Sequence, residues 1–123
     1  MPDVGHSLEV PMAQALPKNV LDCIAACNAC EVACLHCASA CLQEPDVKMM
    51  ARCIARDMDC AQLCQTSVAL MAGGSDLAPA LCKVCEQACR ACAEECVKHD
   101  MDHCQQCAEA CRRCADACAS MAA

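Results

Sequence analysis

The sequence predicts an all-α fold: an antiparallel up-down-up-down four-helix bundle with a cysteine-lined core. Three observations lead there. Long segments repeat apolar residues at helical spacing, with few β-branched residues and no period-two alternation. Pro and Gly punctuate the chain between those segments, leaving only short connections. The cysteines, 19 in 123 residues, recur three and four apart, so each run lies on one helical face.

The elements follow in order. Residues 1–17, with Pro2, Pro11 and Pro17, read as an N-terminal lead-in, and residues 18–123 as the bundle. The first helix spans about 18–42. Pro45 suits the opening turn of the second, which spans about 46–72 and stops at Gly73-Gly74. Ser75 or Asp76 caps the third, Pro79 is tolerated in its first turn, and the helix spans about 76–98. The fourth opens near Asp100 or Asp102 and spans about 101–120. At 1.5 Å per residue the helices are about 30–40 Å long. Similar lengths and short connections make them antiparallel neighbours.

Composition narrows the chemistry. There is no Trp, Tyr or Phe, and 8 Met together with abundant Ala accompany the cysteines. Cysteine at this density marks a disulfide scaffold or a metal protein, and compartment decides between them. The N-terminus has an acid at Asp3 and no basic cluster before an apolar run, unlike a secretory signal. No run of about 18 uncharged apolar residues suggests a membrane span. A cytoplasmic chain is therefore expected, with its thiols reduced and available to metal. The net charge of −7, with 9 basic residues scattered among 16 acids, leaves no basic face for nucleic acid.

The seams are regular. The first helix carries Cys23, Cys27, Cys30, Cys34, Cys37 and Cys41. The second carries Cys53, Cys60 and Cys64, the third Cys82, Cys85, Cys89, Cys92 and Cys96, and the fourth Cys104, Cys107, Cys111, Cys114 and Cys118. This is the a/d pattern of a bundle core with Cys in place of Leu or Ile. Four such seams facing one axis make a tube of thiols. Cys acting only as a small core hydrophobe would not need the reactivity, since aliphatic residues fill space as well. A disulfide ladder fits poorly, because neighbouring thiols on a helix point badly for bridging and an odd count strands one.

Thiolate tubes suit soft metals: Cu(I), Zn(II) or iron–sulfur clusters. Clusters use short loop runs of cysteine, whereas every CxxC here is interleaved with CxxxC inside a helix. Tetrahedral zinc on four thiolates leaves two negative charges per site, which are expensive to bury repeatedly. One Cu(I) per bridging thiolate leaves the tube near neutral, and Cu(I) accepts two or three sulfurs. Charge and geometry favour copper, with zinc storage or buffering as the alternative.

The seams extend beyond the cysteines. In an antiparallel bundle one end collects Cys41, Met49 or Met50, Cys53, Cys96, His99, Met101, His103 and Cys104. Thioether and imidazole bind copper without burying negative charge, so this end reads as a mouth for metal. Asp57 lies in register between Cys53 and Cys60, either as a weak or transient ligand or as an acid turned to solvent. His36 is off the seam, and His6 in the lead-in carries no signal.

From about Val20 to Met121, through segments such as CIAACNACEVACLHCASAC, CKVCEQACRACAEEC and CQQCAEACRRCADAC, the chain resembles the bacterial copper storage proteins, in the branch without an export signal. That resemblance implies a cytosolic homotetramer of four-helix bundles storing many Cu(I) ions on the core cysteines. It places the mouth role on His99, His103 and Met101, and an oxygen-ligand role on Asp57. The short cysteine count of the second helix leaves fewer sulfurs on that wall. Apolar stripes off the seams, Leu21, Leu35 and Leu42 on the first helix and Ile54, Ala61 and Val68 on the second, need covering by neighbouring helices or another subunit. A thiol redox enzyme is the rival class, but it would want one or two activated thiols on an α/β scaffold. A copper chaperone would want one exposed site. Neither suits a buried array, and no catalytic residue is assigned.

Overall fold

The computed structural model describes residues 15–122; Pro2, His6 and Pro11 of the lead-in lie outside the described residues. Four helices follow one another: α1 Lys18–Cys41, α2 Val47–Ala72, α3 Ala78–Cys96 and α4 Asp102–Ala122, with no strand among the described residues. Each packs on the two beside it, α1 on α2 and α4, and α3 on α2 and α4, while the diagonal pairs meet only through side chains on the axis, such as Cys34 with Cys92 and Cys64 with Cys114. The bundle is thus a closed square around one axis.

Local chemistry sets the ends. The Asp46 carboxylate caps α2 by accepting the Met49 N–H at 3.4 Å. At the other end of α2, Ser75 N–H donates to Leu70 C=O and Gly74 N–H to Met71 C=O, the paired bonds of a Schellman stop. That stop needs a left-handed residue, and Gly74 supplies it at φ 66°. Helix α3 opens two residues later than the 76 expected. Ser75 first closes a turn of its own, its hydroxyl accepting Leu77 N–H at 3.1 Å, while the Asp76 side chain caps nothing among the recorded bonds. Past Cys96, α3 tightens into bonds from Lys98 N–H to Glu95 C=O and His99 N–H to Cys96 C=O, which satisfy its last carbonyls. Helix α4 opens at Asp102 and runs to Ala122, two residues beyond expectation.

All nineteen cysteines are fully buried, at 0% exposure. Alanines pack beside them, with Ala61, Ala93, Ala108 and Ala115 in the same cluster, so the helices approach closely around small side chains. The two apolar stripes diverge. On α2, Ala61 is buried and Ile54 and Val68 pack against the core. On α1 and its C-cap, Leu21, Leu35 and Leu42 stay 52%, 45% and 56% exposed, because α1 turns its sulfurs inward and its leucines outward. By length and composition α1 is also apolar enough to cross a membrane. It is not an uncharged run, since Glu31 lies within it. The apolar character comes from Cys and Ala counted together with the outward leucines, and in the fold the sulfur face is packed against α2 and α4.

Candidate metal centre

The sulfurs form one column. From Cys23, contacts run through Cys118 (4.0 Å), Cys27 (3.7 Å), Cys114 (3.5 Å), Cys64 (3.8 Å), Cys85 (3.8 Å) and Cys89 (3.9 Å). They continue through Cys60 (3.4 Å), Cys30 (3.6 Å), Cys111 (3.6 Å), Cys34 (3.6 Å) and Cys92 (4.0 Å). Cys96 (3.8 Å), Cys53 (3.3 Å), Cys37 (4.0 Å) and Cys41 (3.8 Å) complete the path. Cys107 joins at Cys34 (3.7 Å) and Cys104 at Cys37 (3.9 Å). Cys82 is buried at the Cys23 end. All nineteen are free thiols.

Sets of four sulfurs lie within 4.8 Å of one another along the column, among them Cys27–Cys85–Cys114–Cys118, Cys30–Cys34–Cys60–Cys111 and Cys37–Cys41–Cys53–Cys104. Each of these sets draws on three helices, so the bundle, rather than any one segment, builds the ligand geometry. Tetrahedral zinc, with Zn–S of about 2.3 Å, needs sulfurs about 3.8 Å apart. Distance alone therefore admits zinc as well as copper, and charge must separate them.

Burial opposes thiolate formation along the tube. It pushes the Cys82 thiol up from 9.0 to about 11, and burial with the neighbouring Cys53 does the same for Cys41, also to about 11. In mid-column, hydrogen bonding with Cys107 raises Cys34, while hydrogen bonding with Cys111 lowers Cys60. Neighbouring thiols thus share protons that an incoming cation displaces.

Asp57 stands inside the tube. It is fully buried, and its Oδ1 accepts from the thiols of Cys92 and Cys107 at 3.2 Å and of Cys96 at 3.5 Å; Oδ2 meets Cys53 at 4.0 Å. Of the two readings open in the sequence, the acid turned to solvent is the one the geometry removes. Burial, and then negative charge at Cys107, pushes its carboxyl up from 3.8 to about 8. Further along α2, Ser67 is buried with its hydroxyl unpartnered.

The end expected as a mouth assembles unevenly. Met50 is buried whereas Met49 is exposed, and Met101 packs against the core edge. His103 turns Nδ1 to the sulfurs of Cys37 and Cys104 at 3.5 Å and of Cys41 at 3.9 Å. Its Nε2 faces the Glu44 carboxylate at 3.4 Å. His99 bonds elsewhere: its Nε2 meets Glu95 at 3.0 Å, and no sulfur bond to its ring is recorded. Arg52 and Lys98 flank that same carboxylate at 3.6 and 3.4 Å. Although burial opposes it, His99 and Lys98 hold Glu95 below its ordinary value. His36 stays on the exposed surface. The sequence reading passed over both acids. Glu95 was accessible as the i−4 neighbour of His99, whereas Glu44 lies 59 residues from His103 and carries no local signal.

An all-α bundle whose axis is a continuous file of reduced thiols, with imidazole and thioether at one end, is a multi-site thiolate metal-binding protein. Comparison with known proteins places it further. A family described as copper storage protein matches residues 17–123. The uncharacterized cysteine-rich protein YhjQ of Bacillus subtilis is 46% identical over 101 residues, 82% of this chain and 94% of that one. The Cu(I)-bound copper storage protein BsCsp3 superposes with a TM-score of 0.83 at 43% identity, covering 86% of this chain and 100% of the other. A cytosolic copper storage protein from Streptomyces lividans, in a copper-loading structure with five coppers, does so with 0.82 at 40% identity, covering 85% and 92%. The chain belongs to the copper storage protein family.

Proposed function

We propose that this chain stores Cu(I), many ions per chain, on the thiolates that line its core. The observation that carries the reading is the sulfur column, with every thiol buried and all but Cys82 linked to a neighbour 3.3 to 4.0 Å away. Each ion taken up replaces a thiol proton: RSH and Cu(I) give RS–Cu and H⁺, with no change of oxidation state and no net charge left in the tube. The same uptake by Zn(II) on four thiolates would bury two negative charges per site, against the low-dielectric interior. The sulfur tetrads are the one feature that favours zinc.

The ligands in this reading are the nineteen cysteines from Cys23 to Cys118, with Asp57 as an oxygen ligand inside the column. His103 and Met101 serve the mouth directly and His99 lies at its outer side. Residues 1–17 form a lead-in to the bundle. The chain stores and does not catalyse, acts in the cytoplasm as its Streptomyces lividans relative is named to do, and assembles as a homotetramer. The exposed Leu21, Leu35 and Leu42 stripe supports self-association, since such stripes mark interfaces.

An anaerobic titration of the reduced, metal-free protein with Cu(I) against a competing chelator, beside a Zn(II) titration, tests the proposal. Uptake near one Cu(I) per thiolate ahead of the chelator is expected. Saturation near one Zn(II) per four thiolates, with copper unfolding the chain, would make it a zinc store.

A further inference from the structure

We propose that Glu44 is the positioning residue of the tube mouth: by accepting the His103 Nε2–H it fixes the tautomer whose bare Nδ1 faces the Cys37, Cys41 and Cys104 sulfurs. The inference rests on the copper reading above for its purpose, but its geometry does not depend on metal. A neutral imidazole carries one proton, and the nitrogen that keeps it is the one with an acceptor. A carboxylate can only accept. With Glu44 Oε2 at Nε2, the lone pair is left on Nδ1, where three thiols stand within 3.9 Å. Those three, with Cys53, form the terminal sulfur tetrad.

The backbone makes Glu44 a firm anchor. Its N–H donates to the Cys41 carbonyl at 3.2 Å, so the carboxylate and the Cys41 thiol ride on the same tight turn after α1. Pro45 and the Asp46 cap of α2 follow at once. Ring, acid and sulfur therefore close a loop, in which Glu44 holds one edge of the imidazole and Cys41 faces the other. A carboxylate behind a ligating imidazole also raises the basicity of the ligating nitrogen. At 3.4 Å the Nε2 contact is long; a cation at Nδ1 would polarise Nε2–H and shorten it.

His99 provides the internal contrast. It too has a carboxylate on Nε2, Glu95 at 3.0 Å, but that acid is shared with Arg52 and Lys98 and the ring makes no recorded bond to sulfur. Identical chemistry thus serves two ends: Glu95 ties His99 into a surface ion network, whereas Glu44 aims His103 at the column.

The test uses the full-length reduced protein and three chains: unaltered, Glu44→Ala and Glu44→Gln. Long-range ¹H–¹⁵N correlation of the metal-free imidazoles reads the tautomer, and stopped-flow uptake from a Cu(I)–chelator complex reads the mouth. In the unaltered chain His103 is expected as the single Nε2–H tautomer. Glu44→Ala should give a tautomer mixture and slow the first uptake phase about 10-fold or more, the scale of losing an outer partner of a metal ligand, with total Cu(I) capacity unchanged. Glu44→Gln, whose amide oxygen still accepts, should recover most of both. An unaltered tautomer and rate in Glu44→Ala overturn the assignment, as does a Glu44→Gln chain no better than Glu44→Ala. If the unaltered chain takes up no Cu(I), the copper reading fails and the tautomer spectra alone decide the role of Glu44.

Discussion

Replacing Asp57 by Asn removes the one carboxyl that, among the described residues, is buried within the sulfur column, and the effect on metal-free stability can be worked from the structure. The carboxyl ionises at 3.8 in the unfolded chain but at about 8 in the fold. Its folded value is raised, so its contribution is fully present below 3.8 and is lost as pH rises toward about 8. Each unit of difference is worth about 1.4 kcal/mol, which gives a loss of about 4 kcal/mol between acid and about pH 7. Asn is nearly isosteric, and its oxygen still accepts from Cys92 and Cys107, but it cannot ionise. Urea unfolding of the reduced, anaerobic, metal-free proteins, followed by far-UV circular dichroism, measures the difference. The gap between Asp57→Asn and the unaltered chain should widen in favour of Asn from about pH 4 to about pH 8 and then level. Parallel pH profiles for the two chains would refute the reasoning, because they would mean that Asp57 ionises at its ordinary value and therefore meets water.

Two further outcomes are expected. Because burial raises Cys82 and Cys41 from 9.0 to about 11, metal-free stability should fall as pH climbs between those values, by about 1.4 kcal/mol per unit for each such thiol; urea midpoints that stay flat above pH 9 would contradict it. Gly74→Ala places a side chain at φ 66° with open space around it, so only backbone strain is felt. It should cost about 1–2 kcal/mol in the same unfolding assay, and a cost near zero would mean that the Schellman stop re-forms without a left-handed residue.

The cysteine seams were legible because their spacing is strictly periodic: three-and-four repeats on α1, α3 and α4 can face only one axis, and all of those sulfurs are buried. Asp57 was readable in register, since α2 places it between Cys53 and Cys60. Its surroundings were not, because the thiols that meet it at 3.2 Å come from α3 and α4. The two histidines show the same limit. Register brings both to one end, yet ring direction is set by Glu95, four residues before His99, for one and by Glu44 in a distant turn for the other. Periodicity also gave the α1 and α2 stripes equal standing. Ile54 and Val68 find cover within the bundle and Leu21, Leu35 and Leu42 do not, a difference that depends on how far each helix is rotated about its axis. The start of α3 moved because Ser75 and Asp76 offer competing caps, and the Ser75 turn forms first.

The measurement that bears most directly on the central claim is anomalous diffraction at the copper edge from crystals of the anaerobically Cu(I)-loaded protein. The account predicts a file of copper atoms along the bundle axis, bonded to sulfurs from adjoining helices, with the helices little moved from their metal-free places. Copper confined to surface histidines and carboxylates, with the core thiols unligated, would contradict it.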